Sequence, residues 1–191
     1  MADYVLTCSS TADLPTAFVK ERGIPVLFYQ FFMDGHEYYD DQGISIPTHD
    51  FYEKVRAGSM PTTSMVNTER YTEFFTPILE GGKDILHLEF SSGLSGSYNN
   101  ALMTAEQLMQ KYPDRKIVIV DSLSASRGYG LFVHLVDNKK QEGASIEEAR
   151  DYAEQLKWKI THWFAVESLE HLRRGGRVSR ASAFLGTMLN I

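Results

Sequence analysis

Two short apolar runs, DILHLEF at residues 84–90 and KIVIVD at 116–121, bracket a stretch that reads at helical period. Each run is continuous enough to suggest a strand buried on both faces. Between them Leu102, Met103, Ala105, Leu108 and Met109 fall on one side of a helix. Strand, helix and strand joined in this way imply a parallel crossover, because a link of this length is what parallel neighbours need. The expected fold class is therefore α/β, a mostly parallel sheet flanked by helices.

The rest of the chain can be read around that unit. Residues 4–8 form another apolar run, ending in Ser9, Ser10 and Thr11, and the helix after it has Pro15 in its first turn and Gly23 as a stop. Asp34-Gly35 between two aromatic-rich runs predicts a tight β-hairpin. Two helical segments follow, IPTHDFYEKVRAG and NTERYTEFFTPILEGG, the second capped by Asn67 and closed by Gly81-Gly82; SMPTTSMV lies between them as a hydroxyl-rich loop. After a helix from GLFVHLVDNKKQEG, Ser145 and Glu148 form a capping box at the start of the next. ITHWFAVES then predicts a strand and LEHLRRGG a short helix, while SRASAFLGTMLNI begins an amphipathic element that stops at Ile191. Residues 1–158 are expected to form one α/β domain, and 159–191 the beginning of a second, cut off within an element.

Composition narrows the partners. The 191 residues are 43% hydrophobic, enough for a real core. Nineteen basic against 25 acidic residues give a net charge of −6, and no basic block exceeds the pairs Lys139-Lys140 and Arg173-Arg174, which argues against nucleic acid. Cys8 is the single cysteine, without a disulfide partner or the companions of a zinc site, and fits a reducing, cytoplasmic setting. The amino terminus lacks the features of a leader, no stretch is long and apolar enough to span a membrane, and the six histidines form no metal-binding pair. No stable membrane insertion, metal or cofactor is expected, and Asp40-Asp41 reads as decoration on the hairpin.

The chemistry concentrates at HLEFSSGLSGSYNNA, residues 87–101. In an open parallel sheet, ligands gather beyond the carboxyl ends of the strands, where amides at the start of the next helix carry partial positive charge. Ser91, Ser92, Ser95 and Ser97 supply hydroxyls there, and Gly93 and Gly96 are expected to give the backbone unusual angles and close approach. Thr62, Thr63 and Ser64 form a second hydroxyl cluster, and the two loops could converge on one crevice. Ordinary helix capping would explain the same serines without any ligand. A phosphate loop fits poorly, because no lysine follows the glycines. GLSGS nearly matches the G-x-S-x-G nucleophile elbow, leaving open a serine hydrolase built on Ser95 with Asp121 and His162 or His171, and a general small-anion module remains a third reading. RRGGRVSR, residues 173–180, reads as a solvated helix end or a docking patch.

Taken in order, STADLP, TTS, SSGLSGSY, DSLSASRGYG and LEHLRRGGRVS resemble the DegV family of bacterial fatty-acid-binding proteins. The resemblance runs nearly the length of the chain. It implies a two-domain α/β protein, not an enzyme, that holds a long-chain fatty acid with its carboxylate at the interdomain cleft and its tail buried. It further implies that the acid is presented to a separate fatty acid kinase for acyl-phosphate formation. Carried over by motif, the carboxylate-binding residues are Thr63 and Ser95, with the neighbouring Gly96 placed to offer its backbone amide; Thr62, Ser64, Ser92 and Ser122 are candidates for additional cleft residues and Arg174 and Arg177 for partner docking. Two departures stand out. Ser9 occupies the place of the family's Asp before S-T-A-D, so that residue's charge is missing, and the family's second-domain histidine has no counterpart among the six here.

Overall fold

The structure, a computed structural model, describes residues 4–165 and 170–176. The chain divides into one unit ending at Ile160 and another beginning at Thr161. The first unit is organised by a four-stranded sheet in the order β2-β1-β6-β7, built from β1 (Tyr4–Ser9), β2 (Val26–Leu27), β6 (Asp84–Glu89) and β7 (Ile117–Asp121). All three pairings are parallel, with Tyr4 opposite Asp84 and Ile85 opposite Ile117. The crossover from β6 to β7 runs through helix α4 (Ser97–Lys111), as expected for parallel neighbours.

Strand alternation sorts the side chains of β6 onto two faces. Leu86 and Leu88 join Leu6 and Val120 against helices α5 (Ser126–Gln141) and α6 (Ile146–Leu156), where Tyr129, Phe132, Val136, Ala149 and Ala153 complete one core. Ile85 and Ile117 face the other way, onto Tyr71, Phe75 and Leu79 of α3 (Thr68–Glu80) and Ala101, Ala105 and Leu108 of α4. The predicted caps form: Asn67 accepts from the Arg70 amide, and Ser145 and Glu148 make a reciprocal capping box. Gly23 ends α1 (Thr16–Arg22) in the left-handed conformation. Gly130 of α5 allows a close approach, since a Cβ there would lie 2.4 Å from the Ala12 carbonyl oxygen in the turn after β1.

A second sheet, order β4-β3-β5, is antiparallel. Strands β3 (Gln30–Met33) and β4 (His36–Tyr39) form the hairpin read from Asp34-Gly35, whose φ angles of 54° and 78° suit a tight primed turn. Helix α2 (Thr48–Arg56) follows, and then the sequence reading needs correction. Thr62 and Thr63 are not in a loop: they form a short strand, β5 (Thr62–Thr63), that adds to the edge of β3, with Phe31 opposite Thr63 and Phe32 opposite Thr62.

The second unit contains helix α7 (Glu170–Arg174), the short helix read from LEHLRRGG. The strand expected from ITHWFAVES does not form over its described part: residues 160–165 carry no regular structure, and 166–168 lie outside the described residues.

Candidate functional site

Beyond the carboxyl end of β6 the chain turns sharply through Ser91–Gly96 before α4 starts. The Leu94 and Ser95 amides both donate to the Ser91 carbonyl, at 3.0 and 3.2 Å, closing that turn. Neither Gly93 nor Gly96 is among the residues with positive φ, so the expected unusual backbone angles are absent. Gly96 has a different reason to lack a side chain: a Cβ there would lie 3.0 Å from the Met65 sulfur. The glycine makes room for the neighbouring loop.

That loop is joined to the corner by specific bonds. The Val66 amide donates to Ser97 Oγ at 3.0 Å, and Asn100 Nδ2 donates to the Val66 carbonyl at 2.8 Å. Ser97 and Val66 are buried, so both bonds are shielded from water. Ser95 Oγ lies 2.9 Å from Ser97 Oγ and accepts from the Ser97 amide at 3.2 Å, acting as a cap for α4 from outside the helix. The segment that follows Thr62–Ser64 is therefore joined to the start of α4, at Met65–Gly96 and Val66–Ser97. Thr63 is two residues from Met65 and Ser95 is adjacent to Gly96, which limits their distances from the joint to about 7 Å and 4 Å of chain.

The candidate residues differ in exposure. Thr62, Thr63, Ser64 and Ser92 are exposed, and Ser95 and Gly96 are half-buried. Ser92 also donates its amide to Asp121 Oδ1 at 3.2 Å, as does Leu123 at 3.0 Å, so the loop after β7 borders the same corner. Ser122 differs from the rest: it is fully buried, its hydroxyl donates to the Ser124 carbonyl and accepts from the Ser124 amide, and it offers nothing to a ligand at the surface. Around the hydroxyls, three large apolar side chains remain open to solvent, Met65 at 58%, Leu94 at 38% and Leu123 at 37%. The corner thus combines neutral donors with an apolar rim. Arg174 is exposed at the end of α7, and Arg177 lies outside the described residues.

Beneath the corner is a polar network that the sequence reading did not single out. Glu89 and His87 are fully buried on the α3 side of β6. His87 Nε2 lies 2.8 Å from Glu89 Oε2 and its Nδ1 lies 2.8 Å from Thr7 Oγ1, while the Tyr71, Phe74 and Phe75 rings pack around the imidazole. Glu89 also accepts from Tyr71 Oη at 2.5 Å, Tyr29 Oη at 3.1 Å, the Phe90 amide at 2.7 Å and Ser9 Oγ at 3.4 Å. Burial works to raise the pKa of this carboxyl, but the hydrogen bond and charge of His87, with Tyr71 and the Phe90 amide, outweigh it and hold the value below that of an ordinary glutamate. Burial and the Glu89 charge push the Tyr29 and Tyr71 hydroxyls upward, so both stay protonated. The signal was present in the sequence as two polar residues two apart in an otherwise apolar strand, a spacing that puts both on one face. The charge expected to be missing at Ser9 is in fact close by, because Glu89 brings a carboxylate to its hydroxyl from the adjacent strand.

A nucleophile at Ser95 would need a base. The buried His87 is bonded to Thr7 and Glu89, and Ser95 is bonded to Ser97. His162 stands in the irregular segment 160–165, and the side chain of His171 lies outside the description. No group of three or more histidine, cysteine, aspartate or glutamate side chains among the described residues could hold a metal ion. No helix among them is long and apolar enough to cross a membrane.

Comparison with known proteins gives a consistent result. A family model described as an uncharacterised protein of the DegV family matches residues 5–191. A DegV domain-containing protein of Clostridium perfringens is 42% identical over 191 residues, which is 100% of this chain and 66% of that protein. A DegV family protein from Thermus thermophilus, whose structure is described as showing fatty acid binding, is 34% identical with a TM-score of 0.83, over 98% of this chain and 65% of that one. A DegV lipid-binding protein from Thermotoga maritima is 26% identical with a TM-score of 0.72, over 83% of this chain and 55% of that one. The chain therefore spans just under two thirds of the length of such relatives.

Proposed function

The chain belongs to the DegV family, and from that membership we propose that it binds one long-chain fatty acid, with the carboxylate at the joined hydroxyl loops and the tail on the apolar rim. Thr63 and Ser95 donate from their hydroxyls and Gly96 from its amide at the start of α4, with Thr62, Ser64 and Ser92 as further donors. A carboxylate leaving water needs several donors, and hydroxyls with a helix start supply them without a fixed counter-charge. Burial of the tail then contributes roughly 0.8 kcal/mol per CH₂ before ordering costs.

The observation that carries this reading is the joint itself: Val66 and Met65 tie one hydroxyl loop to Ser97 and Gly96 of the other, within a rim of exposed Met65, Leu94 and Leu123. A module for small inorganic anions would have no use for that rim. The bound acid is presented in the cytoplasm to a separate fatty acid kinase, with Arg174 and Arg177 in the docking surface; the chain itself carries out no chemistry.

The test is direct. The full-length protein, purified from bacteria, should carry fatty acid detectable by mass spectrometry, and the double substitution Thr63→Ala/Ser95→Ala should remove most of it. Equal lipid content in the two proteins would overturn the assignment of these residues. Labelling of Ser95 by a fluorophosphonate would favour a hydrolase instead.

A further inference from the structure

One member of the apolar rim is held in a backbone conformation that its own side chain disfavours. Among the described residues other than glycine, positive φ occurs at Asp13, Asp34, Gln42, Leu123 and Ser126. Leu123, at 51°, is the apolar one, and a leucine has no polar group with which to offset the crowding of its Cβ against the following carbonyl. Neighbouring bonds over-determine the conformation. The Leu123 amide donates to Asp121 Oδ1 at 3.0 Å, the Ser122 amide to the Glu89 carbonyl at 3.0 Å, and the Ser91 amide to the Ser124 carbonyl at 3.1 Å. Ser122 and Ser124 are thereby pinned, both buried, beside the end of β6, while Leu123 between them is turned partly into solvent. A turn alone would be served better by glycine, which takes this φ without steric cost. What the strain secures is the leucine side chain.

Where that side chain stands follows from Asp121. Its Oδ1 accepts the Leu123 amide and also, at 3.2 Å, the Ser92 amide, so the two nitrogens lie no more than about 6 Å apart. Ser92 belongs to the head-group loop, which places Leu123 at the head end of a ligand bound there, not at the far end of its tail. We propose that Leu123 is a specificity-determining residue that packs on the first carbons beyond the carboxylate, admitting straight-chain acids and rejecting those branched beside the head group, and that Asp121 is the positioning residue that sets it there. A methyl branch on the carbon next to the carboxylate has to share space with a side chain whose backbone, bonded on both flanks, cannot shift to make room. The proposal rests on the fatty-acid reading and narrows its substrate class to acids unbranched at that carbon.

The experiment titrates tetradecanoate and 2-methyltetradecanoate calorimetrically into each variant of the full-length protein, stripped of lipid, and melts each variant. Wild type should prefer the straight acid by about tenfold, the penalty for one methyl group forced into filled space. Leu123→Ala and Leu123→Gly should both bring that preference down to about twofold or less, because the packing side chain is gone. Their stabilities should fall in reverse of the usual order: glycine ordinarily melts below alanine, but at this φ it should melt above it, by about 2–4 °C. Leu123→Met, apolar and of similar volume, should retain most of the preference. Asp121→Asn keeps an acceptor oxygen for the two amides and should discriminate like wild type, whereas Asp121→Ala should discriminate poorly although Leu123 is intact. Taking the ratio of the two acids within each folded variant separates selection from loss of stability. A wild type that binds both acids equally, a ratio unchanged in Leu123→Ala and Leu123→Gly, or a glycine variant melting at or below the alanine one would overturn the proposal, and an unchanged ratio in Asp121→Ala would overturn the part given to Asp121. If wild-type protein takes up neither acid, it is the fatty-acid reading itself that fails.

Discussion

Ser97→Ala removes the bond that holds the two hydroxyl loops together, and its cost can be worked from burial. Ser97 is 0% exposed and Val66 7%, so the Val66 amide that loses its acceptor cannot be served by bulk water. Leaving a buried amide unpaired costs about 1–3 kcal/mol. The alanine itself fits, being smaller, and Asn100 still holds the Val66 carbonyl, so the loop is loosened at one of two bonds. For a chain of this size, each kcal/mol lowers Tm by about 2–4 °C, giving a fall of roughly 2–12 °C in a calorimetric melt. Ser95→Ala is the control: its hydroxyl is half-buried, and its loss removes the cap on the Ser97 amide and the contact with Ser97 Oγ, about 1 kcal/mol for the cap. Ser97→Ala should therefore be the more destabilising of the two, whereas Ser95→Ala should do more damage to fatty-acid binding. A Tm for Ser97→Ala within about 1 °C of wild type, or below the effect of Ser95→Ala, would refute the idea that this bond joins the loops.

Other consequences follow from the same contacts. Gly130→Ala should be strongly destabilising by thermal melt, since its Cβ would meet the Ala12 carbonyl at 2.4 Å and both partners are backbone-bound; a wild-type Tm would show that α5 does not approach this turn so closely. Glu89 is held below the usual glutamate value of 4.5, so its contribution to stability is fully present above that pH and is lost as pH falls through the lower folded-state value. Wild type minus Glu89→Gln, in denaturant titrations, should show a stability difference that shrinks on acidification below about 4.5; a pH-independent difference would count against an ionised Glu89. Burial pushes the Cys8 thiol up, so Ellman's reagent should leave it unmodified in native protein and react with it promptly in guanidinium, and fast native labelling would contradict its position in the core.

The parts of the fold that depend on local chemistry were legible in the sequence. Asp34-Gly35 specifies its hairpin through positive φ, Asn67 and Ser145 fix helix starts with their own side chains, and the apolar run at 84–89 could only be a buried strand. The parts that depend on distant partners were not. Thr62 and Thr63 form a strand only because β3 offers an edge thirty residues earlier, and two residues carry no periodicity to detect. Gly96 invited an argument from backbone freedom, but its reason is the Met65 side chain, which sequence cannot place. The segment 160–165 has the aromatic and branched residues of a strand but carries no regular structure, since β propensity by itself does not make a strand. At the site, the hydroxyls of Ser95 and Thr63 announced themselves by composition, whereas Ser122 looked equivalent and is turned inward to Ser124. Glu89 is harder to read because only His87, two residues away, is visible beside it in the sequence, whereas Tyr29 and Tyr71 are brought to it from distant positions in the chain.

The central claim is that the charged end of a fatty acid sits where the two hydroxyl loops meet. A crystal structure of the full-length protein with tetradecanoate decides it most directly. The account predicts elongated density whose carboxylate lies within hydrogen-bond distance of Thr63 Oγ1, Ser95 Oγ and the Gly96 amide, with the tail leaving past Met65, Leu94 or Leu123. Density with its polar end elsewhere, or Thr63 and Ser95 on opposite sides of the ligand's path and out of reach of one head group, would contradict it.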